Sequence, residues 1–99
     1  KSQTLKETFS QALQSYKKKN YKNAEFLCYK IINIDPNHVD SLLLLATICA
    51  LDKNFVKAKE LMERAVEIQP ENIIFLSNLG TTNRELGNLK EAINIYNKV

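Results

Sequence analysis

The sequence predicts an all-α fold of about six helices, arranged as tandem antiparallel pairs that stack one pair on the next. Three observations carry this. The first is a period of 34 residues, the distance from Pro36 to Pro70, on which Asn20, Asn54 and Asn88 fall in one column. Tyr21, Phe55 and Leu89 make a second column, Ala24, Ala58 and Ala92 a third, and Leu27, Leu61 and Ile95 a fourth. Self-similarity at such a period marks a solenoid, in which each helix pair buries its apolar face only against its neighbours. The second observation is the scarcity of helix breakers, two Gly and two Pro in 99 residues, which favours helix throughout. The third is apolar spacing. Leu42, Leu45, Ala46 and Cys49 stand at i, i+3, i+4 and i+7, and Leu76, Leu79, Gly80 and Asn83 repeat the pattern one period later, as one face of a helix does.

Helices are expected at about 3–18, 21–34, 38–51, 55–68, 72–86 and 89–99. The first has an apolar stripe of Phe9, Ala12, Leu13 and Tyr16, one position away from the register that would place Thr8, Gln11 and Ser15 at core positions. Either this helix is rotated by about 100°, one residue's worth of helical turn, or its following turn is one residue shorter. Tyr21, Ala24, Leu27, Cys28 and Ile31 make the second helix amphipathic, and Pro36 follows its end. The missing N–H and the bulky ring of proline stop a helix there. Asn37 is expected to cap the third helix, with Asp40 three residues on completing a box-like pair. Phe55, Ala58, Leu61, Met62 and Ala65 give the fourth helix the spacing of the second, and Pro70 ends it as Pro36 ended that one. Leu76, Leu79 and Gly80 set the fifth, with Gly87 expected in left-handed geometry just past its end. Asn20 and Asn54 are expected in turns, whose geometry asparagine tolerates well. Leu89, Ala92, Ile95, Tyr96 and Val99 set the sixth. The small columns, Ala12/Ala46/Gly80 and Ala24/Ala58/Ala92, mark places where helices approach closely, because a larger side chain there overpacks the contact.

Composition narrows the function. The chain is 44% hydrophobic and 25% charged, with a net charge of +3 and a mean hydropathy of −0.30. Its longest apolar run, Leu42 to Ala46, is far short of the roughly 18 residues of a membrane span. The start, Lys1-Ser2-Gln3, has neither an initiating Met nor a signal-peptide segment, so the chain is expected to be a piece of a longer, cytoplasmic protein. Lys17, Lys18, Lys19 and Lys22 cluster at the first turn, and read as a solvated turn rather than a phosphate or lipid site. Cys28, Cys49 and His38 lack the close ligand pairs of a zinc site. Both cysteines occupy core positions and are expected as buried free thiols. His38 beside Pro36 is expected to cap or to face solvent, and neither Ser nor Cys has an obvious base. Glu60, Glu63 and Glu67 share one helix face, expected to be solvated rather than a metal site. No cofactor, metal or catalytic residue is therefore expected, and the chain is not expected to be an enzyme by itself.

The same columns resemble the tetratricopeptide repeat family, over units at 5–38, 39–72 and an incomplete 73–99. The family pattern matches in the second unit through Leu42, Leu45-Ala46, Phe55, Ala58, Ala65 and Pro70. In the third unit it matches through Leu76, Leu79-Gly80, Leu89, Ala92 and Tyr96. The first helix of the first unit departs from it, as a terminal repeat does. Pentatricopeptide repeats, which bind RNA, have a period of 35 and lack the proline column, and the sparse charge here, with one Arg in the groove, fits RNA poorly.

This resemblance implies a single domain over 1–99, a right-handed solenoid whose first helices line a concave groove that binds a peptide or helix of a partner protein. The groove residues are then Asp40, Leu43, Leu44, Thr47 and Leu51, followed by Ile74, Ser77, Asn78, Thr81, Arg84 and Glu85, with Phe9, Ser10 and Leu13 from the first helix. Leu43 and Leu44 face either the ligand or a neighbouring helix. Family arrays that grip the acidic tail of heat-shock chaperones use a Lys, Asn and Arg clamp. At those positions stand Phe9, Leu13, Leu44, Ile74 and Asn78, of which Asn78 alone keeps a donor, so no such tail is expected. An asparagine ladder fails too, because Asn78 aligns with Leu44 and Ser10. An apolar or amphipathic partner segment is the expected ligand, and nucleic acid is not. Two alternatives stand beside this module: the recruiting arm of a larger glycosyltransferase-like or sulfotransferase-like enzyme, and a scaffold that self-associates through Ile93, Ile95 and Val99 at an uncapped last repeat.

Overall fold

The computed structural model describes residues 3–99; Lys1 and Ser2, which the predicted domain span includes, lie outside the described residues. The described residues form six α-helices and no strands: α1 (Leu5–Lys17), α2 (Tyr21–Ile34), α3 (Val39–Leu51), α4 (Phe55–Ile68), α5 (Ile73–Glu85) and α6 (Leu89–Tyr96). Four of the six differ from the expected bounds only at their ends, and α2 and α4 match them. Each helix packs on the next, so that α1·α2, α3·α4 and α5·α6 are hairpins and α2·α3 and α4·α5 are the seams between them. The stack is elongated, 48 × 25 × 18 Å.

The start of every helix except α6 is held by a side chain at its cap, and these caps also keep the 34-residue period. Thr4, His38 and Asn72 cap α1, α3 and α5, while Asn20 and Asn54 cap α2 and α4. Each accepts a hydrogen bond from the backbone N–H three residues on, which would otherwise be orphaned. At α1 the box is complete, because the Glu7 carboxylate accepts from the Thr4 N–H at 2.9 Å. The two hydrogen bonds from Thr4 to Glu7 hold its carboxyl below its ordinary value. The expected cap Asn37 is replaced by His38: α3 begins at Val39, so the residue next to it is the one in reach, and Nδ1 of His38 accepts from the Ser41 N–H at 3.2 Å. Asn37 instead donates its N–H to the Asp35 carboxylate at 3.1 Å.

The left-handed column lies one residue before the expected asparagines. Lys19 (φ 63°), Lys53 (φ 60°) and Gly87 (φ 83°) make the turn inside each hairpin, and Asn20 and Asn54 are ordinary caps with negative φ.

Neither a rotated first helix nor a shortened turn is found. In all three hairpins the asparagine N–H donates at 2.8 Å to the carbonyl five residues back, Ser15, Cys49 or Asn83. Direct register therefore holds: Thr8 and Ala12 are buried where Leu42 and Ala46 are buried. The Thr8 hydroxyl satisfies itself by donating to the Thr4 carbonyl at 3.1 Å, which makes a polar side chain tolerable in the core. Gln11 is exposed although its counterpart Leu45 is fully buried, because among the described residues no helix lies on that side of α1. Cys28 and Cys49 are buried free thiols, as expected, and burial pushes the Cys28 thiol up to about 12. No helix among the described residues is long and apolar enough to cross a membrane.

Candidate functional site

The first helices of the three hairpins supply the candidate site. Between α1 and α3 lies an open recess of about 290 Å³ lined by Phe9, Leu13, Tyr16, Asp40, Leu43, Leu44 and Thr47. Helical spacing explains why these residues meet. Phe9, Leu13 and Tyr16 lie at i, i+4 and i+7 on α1, and Asp40, Leu43, Leu44 and Thr47 at i, i+3, i+4 and i+7 on α3. Leu44 is wedged against the helices at 7% exposure, whereas Leu43 is half-buried at the wall of the recess. Thr47 turns its hydroxyl to the Leu43 carbonyl at 2.9 Å, which leaves its methyl group as the apolar surface. The Phe9 ring is propped by His38, with ring centroids 5.4 Å apart, and Tyr16 by Tyr21 at 5.7 Å, both pairs tilted. Tilted aromatic pairs are favourable, so these contacts fix the walls.

Asp40 is the one acidic or basic side chain among the residues lining this recess. It makes no ion pair among the described residues. A smaller recess of about 100 Å³ adjoins the first, sharing Leu43 and Thr47, and adds Ala46, Ala50, Met62, Asn78 and Thr82. Thr82 donates to the Asn78 carbonyl at 2.8 Å, while the Asn78 side chain is exposed.

Of the residues expected from sequence, Phe9, Leu13, Asp40, Leu43, Leu44, Thr47 and Asn78 are brought together by these two recesses. Leu51 is not: it lies in a separate recess with Tyr21, Lys22, Glu25, Ile48 and Asp52, on the α2·α3 seam. Ile74, Ser77, Thr81 and Arg84 line neither of the two recesses. Ile74 and Arg84 are exposed, Ser77 is half-buried, and the Thr81 hydroxyl lies 3.0 Å from that of Tyr96. Tyr16, Ala46, Ala50, Met62 and Thr82 line the recesses without being among the expected groove residues. Tyr16 was signalled by its place in the Phe9/Leu13 stripe. Met62 lies on a second helix, and no first-helix pattern points to it.

One serine does have a histidine beside it, contrary to expectation. Ser41 Oγ lies 2.8 Å from His38 Nδ1. Ser41 is 0% exposed and the same nitrogen accepts the Ser41 N–H, so the contact is a helix cap that no substrate reaches.

The family model described as "Anaphase-promoting complex, cyclosome, subunit 3" matches residues 17–99. A UDP-N-acetylglucosamine–peptide N-acetylglucosaminyltransferase of Caenorhabditis elegans is 33% identical over 91 residues, 92% of this chain, and the chain spans 8% of that protein's length. Among solved structures, the first TPR of Spaghetti (RPAP3) bound to the HSP90 peptide SRMEEVD superposes with a TM-score of 0.89 at 21% identity, covering 99% of this chain and 78% of that one. The Sgt2 TPR domain of Aspergillus fumigatus gives 0.86 at 23% identity, covering 95% and 62%, and MamA gives 0.90 at 17%, covering 96% and 56%. Helix order, caps, small-residue columns and these matches agree, and the chain belongs to the family described as anaphase-promoting complex, cyclosome, subunit 3, with the fold of a tetratricopeptide repeat solenoid.

Proposed function

We propose that the chain is a non-catalytic interaction module, one unit built of repeats at 5–38, 39–72 and 73–99, that holds an apolar or amphipathic segment of a partner protein along the face of α1, α3 and α5. The observation that carries this is the recess between α1 and α3, whose walls are almost wholly apolar and open to solvent. Apolar surface left open on a folded chain favours a partner. Exposed Asn78 at the adjoining recess supplies a donor and an acceptor for the partner's main chain. Ile74, Ser77, Thr81 and Arg84 extend the same face toward α6 and would contact a longer ligand.

The acidic HSP90 peptide held by the RPAP3 domain is a poor ligand for this face. Phe9, Leu13, Leu44 and Ile74 offer its carboxylates no cation. Peptides selected on the chain from a random library test both points. Leu43→Glu and Asn78→Ala, each checked for unchanged helicity, should weaken the selected peptides, and SRMEEVD should show no saturable binding below about 1 mM, some 4 kcal/mol of affinity. Selected peptides that ignore both substitutions would sink the reading.

The similarity to the glycosyltransferase supports a second reading, that this module is the recruiting arm of a longer enzyme, bringing the segment it holds to chemistry done elsewhere. The two readings share the same groove. They separate in one measurement: whether Leu43→Glu in the full polypeptide lowers turnover of a protein substrate or only its binding.

A further inference from the structure

Resting on the groove reading above, we infer that the segment held between α1 and α3 is cationic, with a Lys or Arg beside its apolar anchor, and that Asp40 selects it. The recess offers a partner apolar surface from both helices and a single charge, the Asp40 carboxylate. That side chain is exposed. Its expected part in the cap of α3 is taken by His38 and Ser41. No cation of the chain occupies it either: Lys6, in the same column one hairpin earlier, makes no ion pair with it among the described residues. The carboxylate therefore stands unpaired at the edge of an apolar surface. A partner's cation placed there is partly shielded from water, and is held more firmly than on open surface.

Spacing along α3 fixes where that cation belongs. Asp40 precedes Leu43 and Leu44 by three and four residues, which is about 4.5–6 Å of helix axis. An apolar side chain seated against those leucines is thus about one turn from the carboxylate. In a helical ligand, a Lys or Arg three or four residues from the anchor lies on the same face. In an extended ligand the residue two positions away does, at about 6.6 Å. A Glu at that place would be repelled, so the residue that attracts one class of partner turns away the other. The whole chain carries +3, so this preference acts at contact and not by long-range steering. Asp40 also lies in the first turn of α3, where a negative charge favours the helix dipole. A role confined to the dipole would alter stability and leave the choice of ligand untouched.

The probes are fluorescent peptides selected from a random library on the parent chain, each with copies in which Lys and Arg are replaced by Gln or by Glu. The parent should bind the cationic peptide up to about fivefold more tightly than its Gln copy, the size of an exposed pair, and the gap should shrink as salt is raised. Asp40→Asn should level the copies, and Asp40→Lys should prefer the Glu copy. Melting curves of both variants are taken alongside, so that lost folding is not read as lost choice. Leu43→Glu separates the two ways of failing. Selected peptides that need Leu43 but lack Lys and Arg, bind all copies alike, or keep their preference in Asp40→Lys would overturn the role of Asp40 and leave the groove standing. Peptides indifferent to Leu43→Glu would remove the groove, and the selectivity of Asp40 with it.

Discussion

Gly80 and Tyr96 are a matched pair. A Cβ on Gly80 would lie 2.6 Å from Tyr96 Cε1, and the corresponding positions in the earlier units pair Ala12 with Cys28 and Ala46 with Met62. The small column is therefore tuned to the side chain opposite it. Gly80→Ala gains about 1 kcal/mol of helix propensity and incurs an overpacking cost of roughly 1–3 kcal/mol against a rigid ring. It should lower the melting temperature of the parent and raise that of a Tyr96→Met variant, a reversal of sign that thermal unfolding by circular dichroism will read. Lys53, at φ 60°, pays the steric cost of a left-handed residue that Gly87 avoids. Lys53→Gly should stabilise by about 1 kcal/mol, raising the midpoint by about 4–8 °C in a domain of this size, and Gly87→Lys should lower it. The buried Cys28 thiol titrates at about 12 instead of 9.0. Its neutral form is favoured in the fold, so its contribution is complete below pH 9.0 and is lost as the pH rises from there toward 12. The stability gap between parent and Cys28→Ala in urea should narrow across that window.

At the scale of elements, the second helices tell apart residues that look equivalent in a composition. Ala58 is buried where α4 meets its neighbours, and Lys57 beside it is half-exposed in a surface pair with Glu60 at 3.7 Å. Exposed pairs of this kind contribute at most about 1 kcal/mol. Ala58→Leu should therefore cost roughly 1–3 kcal/mol by overpacking, and lower the melting temperature far more than Lys57→Leu. Equal midpoints would contradict the packing described above. The same comparison corrects one residue of the expected self-associating set: Ile95 is buried within its own hairpin, in the column of Leu27 and Leu61, whereas Ile93 and Val99 are exposed.

Across the whole molecule, stability is the sum of hairpins and the seams between them. The central hairpin α3–α4 is covered on both sides by α2 and α5, whereas α6 is short and packs on α5 alone among strongly contacting helices. Native-state hydrogen exchange should accordingly find the slowest amides in α3 and α4 and the fastest helical amides in α6. Uniform protection along the chain would contradict a stack held together by nearest neighbours.

The fold class, the helix order and most of the core could be read from the sequence because a 34-residue period and an i, i+3, i+4, i+7 stripe are local patterns. They repeat the same short-range geometry and need no knowledge of what lies opposite. The recess half-followed from them: Phe9 and Leu13 lie on the stripe of α1, and Leu43 and Thr47 on the first-helix face expected to line a groove, but Met62 reaches the adjoining recess from α4, the second helix of the same hairpin, and Leu51 turns to a different seam. What tertiary structure alone decided depends on neighbours. Thr8 takes a core position because Thr4 supplies its hydrogen bond, and Gln11 stays in water because no described helix covers it. Leu44 is buried while Leu43 is half-buried, although the two are adjacent on one apolar helix and both line the recess. A side chain's own pattern says which way it points from its helix, and burial depends on whether another helix is there to meet it.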